Sequence, residues 1–147
     1  MDVICDIDGT VADLTHRRHW VATKPKNWKM FFQELHKDTP ITPVINVINS
    51  LHDDGNMIIF CSGRSMEYYD ETREWLSAHM GGWVMTHPLY MRKFRDYRAD
   101  DIIKYELLQQ IKADGYNPAI AFDDRKRVVD MWRANGIICA QVAPGDF

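Results

Sequence analysis

Residues 3–10 read Val-Ile-Cys-Asp-Ile-Asp-Gly-Thr: an apolar run that ends on two aspartates, Asp6 and Asp8, ahead of a glycine-threonine turn. A short run rich in β-branched residues and bounded by turn residues reads as a buried strand. Side chains alternate along a strand, so Asp6 and Asp8 are expected to point the same way. Two such carboxylates repel unless a cation or a shared proton stands between them. Which strands lie beside this one, and what they bring to its end, decides both fold and chemistry.

Similar runs recur at 57–61 (MIIFC), 119–122 (AIAF) and 137–142 (IICAQV), with a weaker one at 83–86 (WVMT). Helical spacing separates them. Val44, Val47, Ile48 and Leu51 precede Gly55; Tyr68, Thr72, Trp75, Leu76 and His79 precede Gly81; Ile103, Leu107 and Ile111 precede Gly115; Val128, Val129 and Trp132 precede Gly136. Each glycine stands where a helix should end. Strands alternating with helices of this length pair in parallel through right-handed crossovers, giving an α/β three-layer sandwich. Residues 13–42 interrupt the rhythm with a short amphipathic pattern of their own, Trp28, Phe31, Phe32 and Leu35. That insertion follows the first strand and is expected to roof the carboxyl ends of the strands, where open α/β sheets bind ligands.

A length of 147 residues suits one domain. Cys5, Cys61 and Cys139 each lie in an apolar run, the pattern of reduced, packed thiols in a cytoplasmic protein rather than of a metal site or disulfide framework. No charged segment leads into a long apolar one and no apolar run approaches the length of a membrane span, so neither a signal peptide nor a membrane segment is expected. The formal net charge of −3 argues against a generally cationic nucleic-acid binder. Locally the balance differs. Leu14 to Gln33 contains no acid but carries Arg17, Arg18, Lys24, Lys26 and Lys29 among His16, His19, Trp20 and Trp28; a second basic, aromatic window reads YMRKFRDYR at 90–98.

Three polar groups follow the central strands: DIDGT, then Ser62-Gly63-Arg64, then Asp123-Asp124-Arg125. With four carboxylates brought to one cleft, the expected partner is a hard oxygen-seeking cation, Mg2+ above all, rather than zinc. An EF-hand loop beginning at Asp6 is ruled out, since its sixth and twelfth positions are Val11 and Arg17 instead of glycine and glutamate. Turn chemistry at DGT and helix capping at DD would explain each motif singly, but not the set at the ends of the right strands. The set fits phosphoryl transfer: Asp6 attacks phosphorus, while Asp8 protonates the leaving oxygen and then deprotonates water. Ser62, the backbone around Gly63, and Lys104 would steady the transferring group, with Thr10 of the first turn counted among the phosphate-binding residues. Lys104 is equally readable as an exposed i,i+4 partner of Asp100, and Arg64 as a surface residue or a planar phosphate clamp.

The ordered set DIDGT, CSGR, Lys104 and AFDDR resembles the four motifs of the haloacid dehalogenase-like superfamily, from Cys5 to about Arg125. That resemblance implies a Rossmann-like parallel sheet with a cap, a nucleophile at Asp6, a general acid/base at Asp8, and Mg2+ held by Asp6, the backbone carbonyl of Asp8, and Asp123 with Asp124 in support. A finer likeness, in RADDIIKYELL, FDDRKRVVDMWRANGI and QVAPGDF, is to the 3'-phosphatase domains of bacteriophage-type polynucleotide kinase/phosphatases. It implies roles for Arg17, with Arg18 the neighbouring candidate, for Arg64, and for the Asp100–Lys104 pair. No GxxxxGK[ST] loop occurs and Asp6 lies close to the first residue, so the kinase function is expected to be absent from these residues and a separate kinase or ligase to be a partner.

The function expected is a Mg2+-dependent phosphomonoesterase acting on 3'-phosphorylated nucleic-acid ends or nucleotides. A phosphatase of nucleoside 5'-monophosphates or another small phosphoester is the alternative within the same chemistry, and a binding module that has kept the fold without turnover is the alternative outside it. His16 and His19 read as a metal pair, a substrate contact or plain surface; His36, His52, His79 and His87 read as structural or solvated.

Overall fold

The computed structural model describes residues 1–147. Strand β1 (Asp2–Cys5) leads through β2 (Ala12–Asp13), α1 (His19–Ala22), α2 (Trp28–Gln33) and β3 (Thr39–Pro40) to α3 (Thr42–Asp53). Then come β4 (Met57–Ser65), α4 (Tyr69–Met80), β5 (Leu89–Arg92), α5 (Asp100–Ala113), β6 (Pro118–Asp123), α6 (Lys126–Ala134) and β7 (Ile138–Gln141). Five strands form one sheet in the order β5-β4-β1-β6-β7, with every adjacent pair parallel. The chain builds outward from β1 on one side and then returns to its other side at β6. This reversal opens a crevice at the carboxyl ends of β1 and β6.

The strand runs are continuously apolar because both faces of the sheet are covered. Val3, Cys5, Ile58 and Phe60 pack against α3 and α4 through Ile45, Ile48, Trp75 and Leu76. Their neighbours Ile4, Ile59, Cys61 and Ala121 pack on the opposite face against Ile103, Leu107 and Leu108 of α5 and Val128 and Trp132 of α6. The result is the α/β three-layer sandwich the spacing implies. All three cysteines are free and packed within it, and burial pushes their thiols up, leaving no activated thiolate. No helix is long and apolar enough to cross a membrane.

Two sequence expectations are corrected. Residues Gly82–Thr86 form a 3-10 turn, and the edge strand is Leu89–Arg92, inside the stretch read as a basic window. The indole N–H of Trp83 donates to the carbonyl of Met80, folding WVMT back onto the end of α4 instead of letting it extend. The buried stripe of α3 is also turned slightly: Ile45 and Ile48 face the core, while Val47 is exposed. Gly55, Gly81, Gly115 and Gly136 do close helices, all with positive φ.

Between β1 and α3 the excursion is tied at its base by an antiparallel ribbon of β2 and β3, with Ala12 opposite Pro40. Its amphipathic helix buries Phe31, with Leu35 just beyond, while Trp28 stays half exposed.

Candidate active site

β1 stops at Cys5, and the chain turns at once, the carbonyl of Ile7 accepting from the N–H groups of Thr10, Val11 and Ala12. Gly9 sits in this turn at φ +80°, and a Cβ there would lie 2.1 Å from Asp124 Oδ2, so no other residue fits. Asp6 is buried at the turn's entrance. Its Oδ1 accepts from Lys104 Nζ at 2.7 Å and its Oδ2 from the Thr10 hydroxyl at 2.8 Å. Lys104 also donates to Asp123 Oδ2 at 2.9 Å, while Asp100 stands off at 3.9 Å. At 1% exposure Lys104 is no surface partner of Asp100; its partners come from the ends of β1 and β6. Asp123 is further held by the backbone N–H groups of Asp124 and Arg125 and by the Trp132 indole.

Asp6, Asp123 and Asp124 each place a carboxylate oxygen within 4.8 Å of the others. With Lys104 the only ammonium among them, ionisation of all three leaves two negative charges unbalanced. Burial, and then the charge of Asp123, pushes the Asp6 carboxyl well above its usual range and the Asp124 carboxyl up to about 6. An all-oxygen set lacking positive charge by about two fits a hard divalent cation.

The four carboxylates do line one cleft, as expected, but Asp8 stands outside the close cluster of three, which corrects the parallel orientation expected for the two aspartates. Strand alternation ends with the strand, and the turn swings the Asp8 carboxylate towards the insertion. There Arg64 Nε spans both its oxygens at 3.1 Å, Arg64 Nη2 reaches Oδ1 at 2.6 Å, and Arg17 Nη2 reaches it at 3.1 Å. Burial alone would raise the Asp8 carboxyl, but Arg64, with Arg17 behind it, outweighs burial and holds it below the usual carboxylate range.

Sequence reasoning missed the residue that holds both arginines. Asp38 accepts from Arg17 at 2.7 and 2.8 Å and from Arg64 at 3.2 Å, and His16 Nε2 lies 2.7 Å away. The available signal was its position, just after the stretch Leu14–Gln33 that holds no acid; a buried arginine there needs a carboxylate from somewhere. Asp38→Asn is expected to lower unfolding free energy by about 2–3 kcal/mol, since it weakens charge-assisted bonds to a buried guanidinium. Urea denaturation measures this, with a rise in KM as the accompanying kinetic sign.

A cavity of about 590 Å3 opens over these groups. Asp6, Asp8, Lys104, Asp123 and Asp124 reach its floor; Gly63, Arg64 and Asp100 lie on one side; the insertion supplies Arg18, Lys26, Trp28, Phe31 and Phe32. Arg17 is fully buried behind Asp8, whereas Arg18 is exposed and forms part of the wall. Ser62 and Thr10 are buried beneath, Ser62 accepting from the backbone N–H of Arg64 and Thr10 donating to the Asp6 carboxylate. A Cβ on Gly63 would meet Asp100 Oδ1 at 2.0 Å, so glycine is what lets Asp100 close on this loop. Arg92, Arg125 and Phe147 also line the cavity, although the sequence motifs that contain them gave no site role to any of the three; Arg125 stacks under Phe147 at 4.9 Å. Of the two histidines read as a pair, His16 meets Asp38 at 2.7 Å while His19 packs on Trp20; the ring of His52 stacks on Trp83 at 4.0 Å, a structural role.

Over residues 1–147 the sequence matches the family described as the polynucleotide kinase PNKP phosphatase domain. It is 32% identical over 134 residues to the "Putative bifunctional polynucleotide kinase/RNA ligase" of Autographa californica nuclear polyhedrosis virus, a match covering 89% of this chain and 17% of that protein. A chain in the structure of a Pnkp1/Rnl/Hen1 complex superposes with a TM-score of 0.80 at 34% identity, over 99% of this chain and 47% of that one. The chain thus spans less than half of either relative. The class C acid phosphatase of Bacillus anthracis, at TM-score 0.68 and 14% identity over 99% of this chain and 68% of its own, shares the fold. With its carboxylate cluster, buried lysine and covering insertion at the ends of a parallel sheet, the chain belongs to the PNKP phosphatase-domain family, a phosphatase branch of the haloacid dehalogenase-like hydrolases.

Proposed function

We propose that the domain removes 3'-phosphates from nucleic-acid ends, or from nucleotides, through an aspartyl-phosphate on Asp6. The observation that carries the reading is the division of the two aspartates: Asp6 on the cavity floor between Lys104 and Thr10, Asp8 across from it between Arg64 and Arg17. Asp6 Oδ attacks phosphorus as the bond to the sugar oxygen breaks, and Asp8 gives that oxygen a proton. Water then attacks the same phosphorus, Asp8 takes its proton, and inorganic phosphate leaves with Asp6 restored. Held ionised by two guanidiniums, Asp8 is set for the second half of this cycle; a phosphate that draws the cavity-lining Arg64 to itself frees Asp8 to carry the proton the first half needs.

Asp6, Asp123 and Asp124, with the backbone of Asp8, would hold Mg2+, which when bound offsets charge on the phosphoryl oxygens. Adding Mg2+ at a hundredfold excess over its dissociation constant should raise the melting temperature by about 5–10 °C at pH 7.5. The gain should shrink towards zero by pH 5, where protons hold Asp124, whose carboxyl titrates at about 6. The sign for the metal-free protein is opposite. A carboxyl raised in the folded state binds protons the unfolded chain does not, so metal-free stability falls as pH rises from about 4 through about 6. Thermal melts with and without chelator check both; a Mg2+ effect independent of pH would remove Asp124 from the site.

The relatives' names join a polynucleotide kinase to an RNA ligase in one case and place a Pnkp1 chain with Rnl and Hen1 in the other. They support nucleic-acid ends as the substrate and a separate kinase or ligase as partner. The deciding experiment measures phosphate release from matched 3'- and 5'-phosphorylated oligonucleotides and from mononucleotides. Preference for the 3'-phosphate is expected; equal or better turnover of 5'-mononucleotides would support the small-phosphoester alternative. Asp8→Asn should slow release from a sugar 3'-phosphate by about a hundredfold or more and affect an aryl phosphate with a good leaving group far less.

A further inference from the structure

Residues 93–98 project beside the cavity in a way the chemistry above does not require. The loop is built around one inward guanidinium: Arg92 donates to the carbonyl of Gly63 at 2.7 Å and, across the loop, to the carbonyls of Asp96 at 3.0 Å and Arg98 at 2.6 Å. Arg98 is held in turn by Asp96 and Glu106. With the interior taken by Arg92, the remaining side chains point outward. Phe94 is 57% exposed and Tyr97 89% exposed, and Lys93 and Arg95 enter no ion pair. Arg95 adopts φ 60°, the one non-glycine residue in the left-handed region, and its guanidinium lies 5.0 Å from the Phe94 ring. Two exposed rings and two free cations are thus held on a braced loop rather than a loose one. Such strain persists only where the surroundings impose it.

The loop's position narrows its partner. Arg92 lines the cavity, and its anchors, Gly63 and Asp100, do so as well, so the segment begins at the cavity's rim, beside a chain that leaves on this side. Cations alternating with exposed aromatic rings match a single strand, whose phosphates repeat between stackable bases.

We propose that residues 93–98 bind the strand leading to the phosphorylated end, Lys93 and Arg95 meeting its phosphates and Phe94 and Tyr97 its bases. This rests on the reading of the substrate as a nucleic-acid end, and makes the enzyme one that favours polynucleotides over mononucleotides.

The test compares kcat/KM on a 3'-phosphorylated hexanucleotide and on a 3'-mononucleotide for the whole chain. The unaltered protein should favour the hexanucleotide. Phe94→Ala with Tyr97→Ala should lower hexanucleotide efficiency about tenfold or more, the effect of losing two stacks, with the mononucleotide unchanged. Lys93→Ala with Arg95→Gly should flatten the log–log salt dependence by about 1.4, two phosphates' worth for a single strand. Glycine adopts φ 60° without strain, so this variant should melt no lower than the unaltered protein. Equal efficiency on both substrates before any substitution, or equal losses on both afterwards, overturns the proposal. Unchanged hexanucleotide kinetics in both variants also overturns it and assigns the patch to a protein partner instead. Fluorescence anisotropy of a labelled hexanucleotide ending in a 3'-hydroxyl reads the same contact without turnover. If no phosphate is released from any substrate, the catalytic reading fails, and weaker anisotropy in the variants still decides this one.

Discussion

Asp6→Asn should yield a folded protein whose phosphate release falls by at least about a thousandfold, the scale of losing a group on which the whole reaction depends. The side chains are nearly isosteric, and the amide oxygen can still accept from Thr10. What changes is charge. The Asp6 carboxyl is disfavoured by burial and by Asp123, with Lys104 offsetting only part of that, so a neutral group relieves repulsion and leaves Lys104 paired to Asp123 at 2.9 Å. The melting temperature of the metal-free protein should therefore stay level or rise while activity vanishes. Phosphate release and thermal denaturation on one preparation check this, and turnover within tenfold of the native rate would remove Asp6 as nucleophile.

Lys104→Met should act in the reverse manner, abolishing turnover and lowering unfolding free energy by about 3–5 kcal/mol. Methionine keeps the aliphatic length but leaves two buried carboxylates with no cation between them. The charge that Asp6 and Asp123 place around Lys104 outweighs its desolvation and holds its ammonium well above the usual lysine range. A surface i,i+4 partner of Asp100 would instead lose at most about 0.5 kcal/mol. Urea unfolding separates these outcomes. Adding Asp6→Asn to Lys104→Met should restore part of the loss, with a coupling of about 1–3 kcal/mol between contacting groups.

Most of the candidate set could be read in one dimension because each member sits at a strand end or in the first turns of a helix, and those positions follow from apolar runs and punctuating glycines. Lys104 illustrates the limit. Spacing alone left it between a surface pair and a buried ligand, and its neighbours lie elsewhere in sequence, Asp6 just past β1 and Asp123 at the end of β6. The edge strand was missed because its apolar run, Leu89–Met91, is only three residues long and leads straight into charged residues; its pairing with β4 makes it a strand. Asp38 was missed for a related reason. Its partners are side chains of Arg17 and Arg64, and no local period marks a residue whose role is to meet others across the fold.

The sequence by itself determined the parallel sandwich, the place of the candidate site at its carboxyl edge and the acidic character of that site. These follow from local hydrophobic periods and from carboxylates too dense to coexist without a counter-ion. Only the tertiary structure decided which carboxylate faces which cation: Asp6 to Lys104, Asp8 to Arg64 and Arg17, with Asp38 behind the arginines. The physical reason is that the strand stops at Cys5, so the alternation that would align the two aspartates is replaced by a turn.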